Sequence, residues 1–363
     1  MIGIDRRLLQ NVDWPLIGIG LGFAVLSALT LANLHVGRAG GTVAVRQLAW
    51  FAIGLVALFV VASIDYRKLV RIAPVIYLLG LAALVAVFVL GRTVSGARRW
   101  IVIGSVSVQP SELFKIAFVL MAVWVLTSRW AQPIGRFTLL LVLPVTAIPF
   151  VLIMKQPDLG TALLLFPVLI ALLVGAGIRL RLLGALFLAG LAMLPVAWFL
   201  LKDYQRERIL VYLDPFRDPL GTAYNVIQAK IAIGSGQLLG KGVAGATQSR
   251  LAFLPERHTD FIFAVFAEMW GFVGCLILLA CYAFLLLRGF DIAASTSEPV
   301  GRLVALGVTS MLGTQVLINV GMVTGLLPVV GVPLPLMSYG GTSVLCSLMG
   351  LGLLVSVRMR QFQ

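Results

Sequence analysis

Little in this chain is built for chemistry in water. Its 363 residues include two histidines, three cysteines and 14 acidic residues, and only 12% are charged. Cys275, Cys281 and Cys346 fall inside apolar runs, with a spacing that fits neither a disulfide framework nor a metal site; they read as small core residues. His35 and His258 are the only histidines, and no histidine-cysteine cluster or iron-binding spacing appears. No Ser-His-Asp arrangement, P-loop or dinucleotide fingerprint is present, so most hydrolase, metalloenzyme and nucleotide-binding classes are excluded while carboxylate chemistry stays open. No soluble domain can be marked off either.

Apolar residues are what the chain has in abundance. They make up 60% of it, more than a water-soluble domain of this size can cover. A membrane-spanning helix needs about 20 apolar residues. Runs of that kind lie at about 15–33, 47–63, 72–90, 110–128, 137–154, 159–176, 183–201, 261–287, 303–324 and 339–357. The expectation is an all-α polytopic membrane protein of ten spans, forming a single transmembrane domain over 1–363. Arg6 and Arg7 precede a first run of full spanning length, which reads as an anchor, not a cleavable leader. With the N-terminus inside, thirteen Lys and Arg fall on the cytoplasmic side and six in the short outer loops, so both termini are expected in the cytoplasm. The net charge of +14 then reflects anchoring against anionic lipid and not nucleic-acid binding. The long segment 202–260 faces outward.

The two sides differ in kind. Cytoplasmic connections are short. The outer ones carry glycine, proline and clustered charge, which is where chemistry is expected. "PERHTD" gathers Glu256, Arg257, His258 and Asp260 at the start of an apolar helix that also carries Glu268. Thr259 reads as an N-cap, making Asp260 the first helical residue. A carboxylate there can simply complement the helix end; at membrane depth, ionisable residues more often line a cavity. Helix end and cations would lower its pKa, so burial or substrate has to raise it for Asp260 to act as a base. Glu268 reads as a partner for another helix. "QPSELFK" sets Glu112 and Lys115 three apart on one helix face. They are either an ion pair that shelters two charges or an anion site held in place by its carboxylate. "GARRW" offers Arg98, Arg99 and Trp100, suited to lipid anchoring or to gripping a pyrophosphate bidentately. "KQPDLGT" reverses the chain between two spans, so Asp158 and the freed amides must face protein or a wet cavity. Arg206 and Arg208 follow in "DYQRER". "YNVIQAKIAIGSGQLLGKG" reads as an amphipathic helix on the membrane surface, followed by a Gly-rich turn.

Taken in order, "GARRW", "QPSELFKIA", "KQPDLGTA", "LPERHTDFIFAVFAE" and "LPVVGVPLPLMSYGG" resemble the SEDS proteins (shape, elongation, division, sporulation), over essentially the whole chain. "DYQRERI" and Arg257 in "LPERHTD" resemble the rod-shape branch more than the division branch. The resemblance implies a glycosyltransferase of the bacterial inner membrane with its active site facing the periplasm. Such an enzyme polymerises lipid II into β-1,4 glycan strands for cell elongation and releases undecaprenyl pyrophosphate. It implies a class B penicillin-binding protein and other elongation-complex membrane proteins as partners. By motif position Asp260 takes the role of the family's essential aspartate, Glu112 and Lys115 that of its functional pair, and Arg99 and Trp100 belong to its first large outer loop. Asp158, Arg206, Arg208, Arg257 and His258 complete the set expected to bind substrate. No metal ligands are assigned from the residues; a pyrophosphate leaving group suits a divalent cation, Mg or Mn. The alternative from another class is a transporter that flips lipid II without making bonds, and a third reading is a scaffold that recruits the crosslinking enzyme.

Overall fold

The structure, a computed structural model, describes residues 11–34, 38–94, 97–104, 106–129, 133–201, 203–214, 218, 223–246 and 256–361. Arg6, Arg7, His35 and the first residues of the "LPERHTD" motif lie outside these. The helices are α1 Trp14–Ala32, α2 Arg38–Ser63, α3 Tyr66–Arg71, α4 Ala73–Leu90, α5 Pro110–Thr127, α6 Arg136–Lys155, α7 Leu159–Gly175 and α8 Leu180–Leu200. They continue with α9 Asp203–Leu213, α10 Tyr224–Ser235, α11 Ile262–Ser295, α12 Pro299–Thr324 and α13 Gly341–Met359. Among the described residues eight helices are long and apolar enough to cross a membrane, and α7 and the stretch Leu180–Met193 of α8 are shorter apolar segments. The chain is a mostly helical membrane protein.

Helix starts follow local chemistry. Asp13, Asp65 and Asp158 accept from the first-turn amides of α1, α3 and α7, satisfying donors that have no partner inside the helix. Proline opens α4, α5 and α12, where its missing N–H costs nothing. The centre of the bundle is α5, α12 and α13, with 78%, 61% and 83% of their most apolar stretches buried; in α2, α4 and α11 the figure is 22–28%. The central helices therefore face protein on nearly all sides, and the others turn a face to lipid.

Two features depart from the expected architecture. Three strands between the fourth and fifth helices form an antiparallel sheet, β1 Arg92–Val94, β2 Ala97–Ile103 and β3 Val106–Val108, in the order β1-β2-β3. Arg92 pairs with Trp100 and Ile101 with Val108. The second is the helix formed by "YNVIQAKIAIGS". It packs on α11 and α12 instead of lying apart on the membrane surface. The reason is a break in α11 at Gly271, whose φ of 65° and ψ of −165° interrupt the ladder. The freed amides of Phe272 and Val273 donate to the carbonyls of Gln237 (2.8 Å) and Leu238 (3.1 Å), and the amide of Lys241 donates to the Glu268 carbonyl (3.0 Å). The Gly-rich turn thus supplies partners that lipid cannot. Gly240 is required there: a Cβ would lie 2.2 Å from the Met269 carbonyl oxygen.

Candidate active site

Residues Glu256 to Asp260, the small sheet, α9, α10 and the stretch 326–340 gather at one end of the bundle. Asp260 does not begin α11. The helix starts at Ile262, and Glu256 to Phe261 form a turn closed by the Glu256 carbonyl, which accepts from the amides of Thr259 (3.1 Å) and Phe261 (3.3 Å). The expected N-cap at Thr259 fails for a definite reason: the carbonyls that a helix would use are taken by other elements. Tyr339 N–H donates to the His258 carbonyl (2.8 Å), the Ser338 hydroxyl to the Thr259 carbonyl (2.5 Å) and the Asn319 amide to the Asp260 carbonyl (2.8 Å). The turn is held open by the stretch 326–340 and by α12.

The Asp260 carboxylate is half-buried. A Cβ built on Gly331, itself at φ +72°, would lie 3.2 Å from its Oδ2. Among the described residues no hydrogen bond ends on this carboxylate. Burial raises its pKa to about 6, helped by Glu256 and Asp158 and opposed by Arg99 and Arg208. Arg99 and Arg208 favour the ionised form, as expected of cations, but burial and like charge prevail.

Arg99 sits on β2, where alternation turns it opposite to Arg98 and Trp100. Arg98 donates to the Phe88 carbonyl (2.7 Å) at the end of α4. Arg99 donates to the Pro157 carbonyl and lies 3.9 Å from Asp158, while its buried Nε has no partner among the described residues. Half-buried Trp100 shares the strand face of Arg98. Asp158 is 1% exposed and saturated: it accepts from Gln109 Nε2 (2.9 Å), the Ser111 hydroxyl (3.1 Å) and Thr161 N–H (3.3 Å). It locks the starts of α5 and α7 together and acts on Asp260 through its charge.

Glu112 and Lys115 form a buried ion pair (2.9 Å), each side chain no more than 3% exposed, one turn inside α5. Arg208 donates to the Val329 carbonyl (3.3 Å) and lines a narrow cleft with Tyr212, Lys230 and Leu327. Arg206 is turned away from this set: it donates to the carbonyls of Trp198 and Phe199 (3.0 Å each) and lies 3.7 Å from Asp203, capping α8. The ring of His258 lies 5.9 Å from that of Tyr339. Burial lowers the pKa of half-buried Arg257. The structure thus brings together Asp260, Arg99, Asp158 and Arg208, with Arg257 and His258 in the same turn. Asn319, Gly331, Ser338 and Gln109 hold the arrangement and were not read from sequence. One of two carboxamides in an apolar span, with Gln315 one turn earlier, was the available signal for Asn319. Among the described residues no three His, Cys, Asp or Glu side chains converge to hold a metal ion.

Comparison with known proteins gives consistent matches. The family described as "Cell cycle protein", covering FtsW, RodA and SpoVE, matches residues 9–363. The chain is 43% identical to "Peptidoglycan glycosyltransferase MrdB" of Escherichia coli K12 over 348 residues, 96% of this chain and 93% of that protein. It is 37% identical to "Stage V sporulation protein E" of Bacillus subtilis over 86% of each. A solved chain described under "Structural coordination of polymerization and crosslinking by a peptidoglycan synthase complex" superposes with a TM-score of 0.83 at 34% identity, covering 97% of this chain and 99% of that one. The Thermus thermophilus rod shape determining protein RodA superposes at 0.73 with 31% identity, covering 97% and 98%.

Proposed function

The chain belongs to the FtsW/RodA/SpoVE family of cell cycle proteins and is a peptidoglycan glycosyltransferase of the rod-shape kind; from that premise we propose that Asp260 is its general base. The observation that carries the reading is a half-buried carboxylate that accepts no hydrogen bond among the described residues and is held near pKa 6. A base with a pKa near the working pH is both deprotonated and able to take a proton, and such a group contributes about 10²–10⁴-fold to rate.

The substrate is lipid II. Asp260 Oδ accepts the proton of the GlcNAc 4-hydroxyl as that oxygen bonds to the MurNAc anomeric carbon. The bond from that carbon to the pyrophosphate breaks, and its electron pair leaves on undecaprenyl pyrophosphate. One displacement turns an α donor into a β-1,4 link. No second catalytic carboxylate is needed, because pyrophosphate is a good leaving group. Arg208, beside its cleft, and Arg99, with an unused buried donor, stabilise the departing charge. Lys115 supports the same end of α5 through its pair with Glu112; Arg206, at the end of α8, has a structural part. A divalent cation, Mg or Mn, is compatible with the leaving group. The described carboxylates do not form a set to hold one, so no step here runs through it.

The ten-span arrangement fits this reading, with both termini in the cytoplasm and residues 202–260 and the site on the periplasmic face of the bacterial inner membrane. A class B penicillin-binding protein, acting with other elongation-complex membrane proteins, would crosslink the product. The test is glycan synthesis from lipid II by purified protein in detergent, with and without that partner. Polymer from the wild type and a rate about 10²–10⁴ lower for D260N are expected. No polymer under any condition would return the chain to lipid transport, since detergent abolishes two-sided movement but not bond formation.

A further inference from the structure

We propose that Asn319 is a positioning residue for the transfer reaction: its buried side-chain amide fixes both the backbone of the base and the wall its carboxylate rests on. This rests on the reading of Asp260 as base. Asn319 lies near the site end of α12 and is fully buried. Its Nδ2 has two hydrogens and both are used, one on the Asp260 carbonyl at 2.8 Å and one on the Val332 carbonyl at 2.7 Å. The first bond withholds the Asp260 carbonyl from the helix that starts two residues later. The second anchors the residue next to Gly331, whose missing side chain leaves the place where Oδ2 sits, 3.2 Å from where a Cβ would be.

Two segments far apart in sequence are thereby joined at one nitrogen. Asn319 Oδ1 is buried and has no partner among the described residues. A carboxamide kept for packing alone would leave a better-matched residue in its place, because an unpaired buried acceptor is unfavourable; what the fold uses is the pair of donors. Four charged groups act on the Asp260 carboxylate: Glu256 from its own turn, Arg99 from β2, Asp158 at the start of α7 and Arg208 from α9; Arg257 and His258 share the turn. Release of the turn from Asn319 lets the carboxylate move toward water, away from this surround.

The experiment measures kcat, KM for lipid II and the acid limb of the pH–rate profile for wild type, N319S, D260N and the double variant. N319S is expected to lose about 10- to 100-fold in kcat, in line with what a displacement near 1 Å costs a reacting group. KM should stay close to the wild-type value, and the acid limb should move to lower pH. In the D260N background the same change should cost nothing more. A limb that stays in place, or a loss that multiplies fully with D260N, shows a purely structural role and overturns the proposal. G331A sets a Cβ 3.2 Å from Oδ2, on a backbone whose φ of +72° disfavours any side chain, and carries the test if N319S does not fold. The same kcat loss with a moved limb supports the proposal, and wild-type kcat with an unmoved limb overturns it. Full activity of D260N would instead sink the base reading itself.

Discussion

Two carboxylates at opposite ends of the bundle show how surroundings divide chemistry from support. Glu298, just before α12, accepts from the Tyr66 hydroxyl and from Arg67 Nε at 2.8 Å. Beside it, Arg360 donates to the carbonyls of Ala62 (3.0 Å), Ser63 (2.8 Å) and Ser356 (3.1 Å), tying the end of α13 to that of α2. Burial and Glu298 raise the pKa of the Tyr66 hydroxyl, which keeps its proton and its bond. Asp260, at the other end, has cations near it, yet no donor reaches its carboxylate among the described residues. One carboxylate is held in place by two donors; the other, half-buried, near like charge and with no donor among the described residues, keeps an affinity for protons. For Asp260 burial contributes most, and Glu256 and Asp158 add to it against Arg99 and Arg208.

The largest effect expected away from the base is at the buried Glu112–Lys115 pair. Removing one partner strands a charge in the bundle, which costs about 3–5 kcal/mol. K115M or E112Q alone should therefore lower the thermal midpoint strongly, and the apolar double variant K115M/E112L should recover much of it. Recovery of stability without recovery of glycan synthesis would show that the pair also meets substrate; recovery of both would place it with the structural carboxylates. At the Asp260 end, R208Q should slow polymerisation about tenfold, the scale of one weakened contact to a leaving group of ~1.4 kcal/mol, while R206Q, at the α8 cap, should leave the rate within about twofold. Equal losses in both would break the division drawn between them.

Much of this was legible in the sequence because the bilayer demands long apolar runs and because Asp260, Glu112 and Asp158 are conspicuous against them. What escaped is instructive. "TVSGARRWIVIGSVSV" alternates in a way that allows strands, yet between two spans it reads as a charged loop. The break at Gly271 could not be seen, since one glycine in an apolar helix is ordinary and its partner turn lies some 30 positions earlier. Thr259 has every local mark of an N-cap; only tertiary bonds from Asn319, Ser338 and Tyr339 overrule it. Arg206 and Arg208 are alike in sequence, and only their acceptors separate them.

Smaller effects sharpen the comparison further. The native Asp260 carboxyl has a pKa of about 6, against about 3.9 for an unfolded aspartate. The native state binds the proton more tightly, so stability falls as pH rises from about 4 to about 6, and the loss is complete above that. D260N should thus melt higher than wild type at pH 7.5, by on the order of 1 kcal/mol after allowance for solvent screening, and match it near pH 3.5. At the far end Y66F should cost about 1 kcal/mol of stability, the net worth of one hydrogen bond, and leave the polymerisation rate unchanged.

The most direct measurement is the pH dependence of kcat/KM for lipid II polymerisation by the purified wild-type protein, beside the residual activity of D260N. A rate that climbs through an inflection near pH 6 and then levels, with that limb missing from D260N, is the predicted result. A wild-type profile flat between pH 5 and 8, or the same limb retained in D260N, would contradict the assignment of Asp260 as the base.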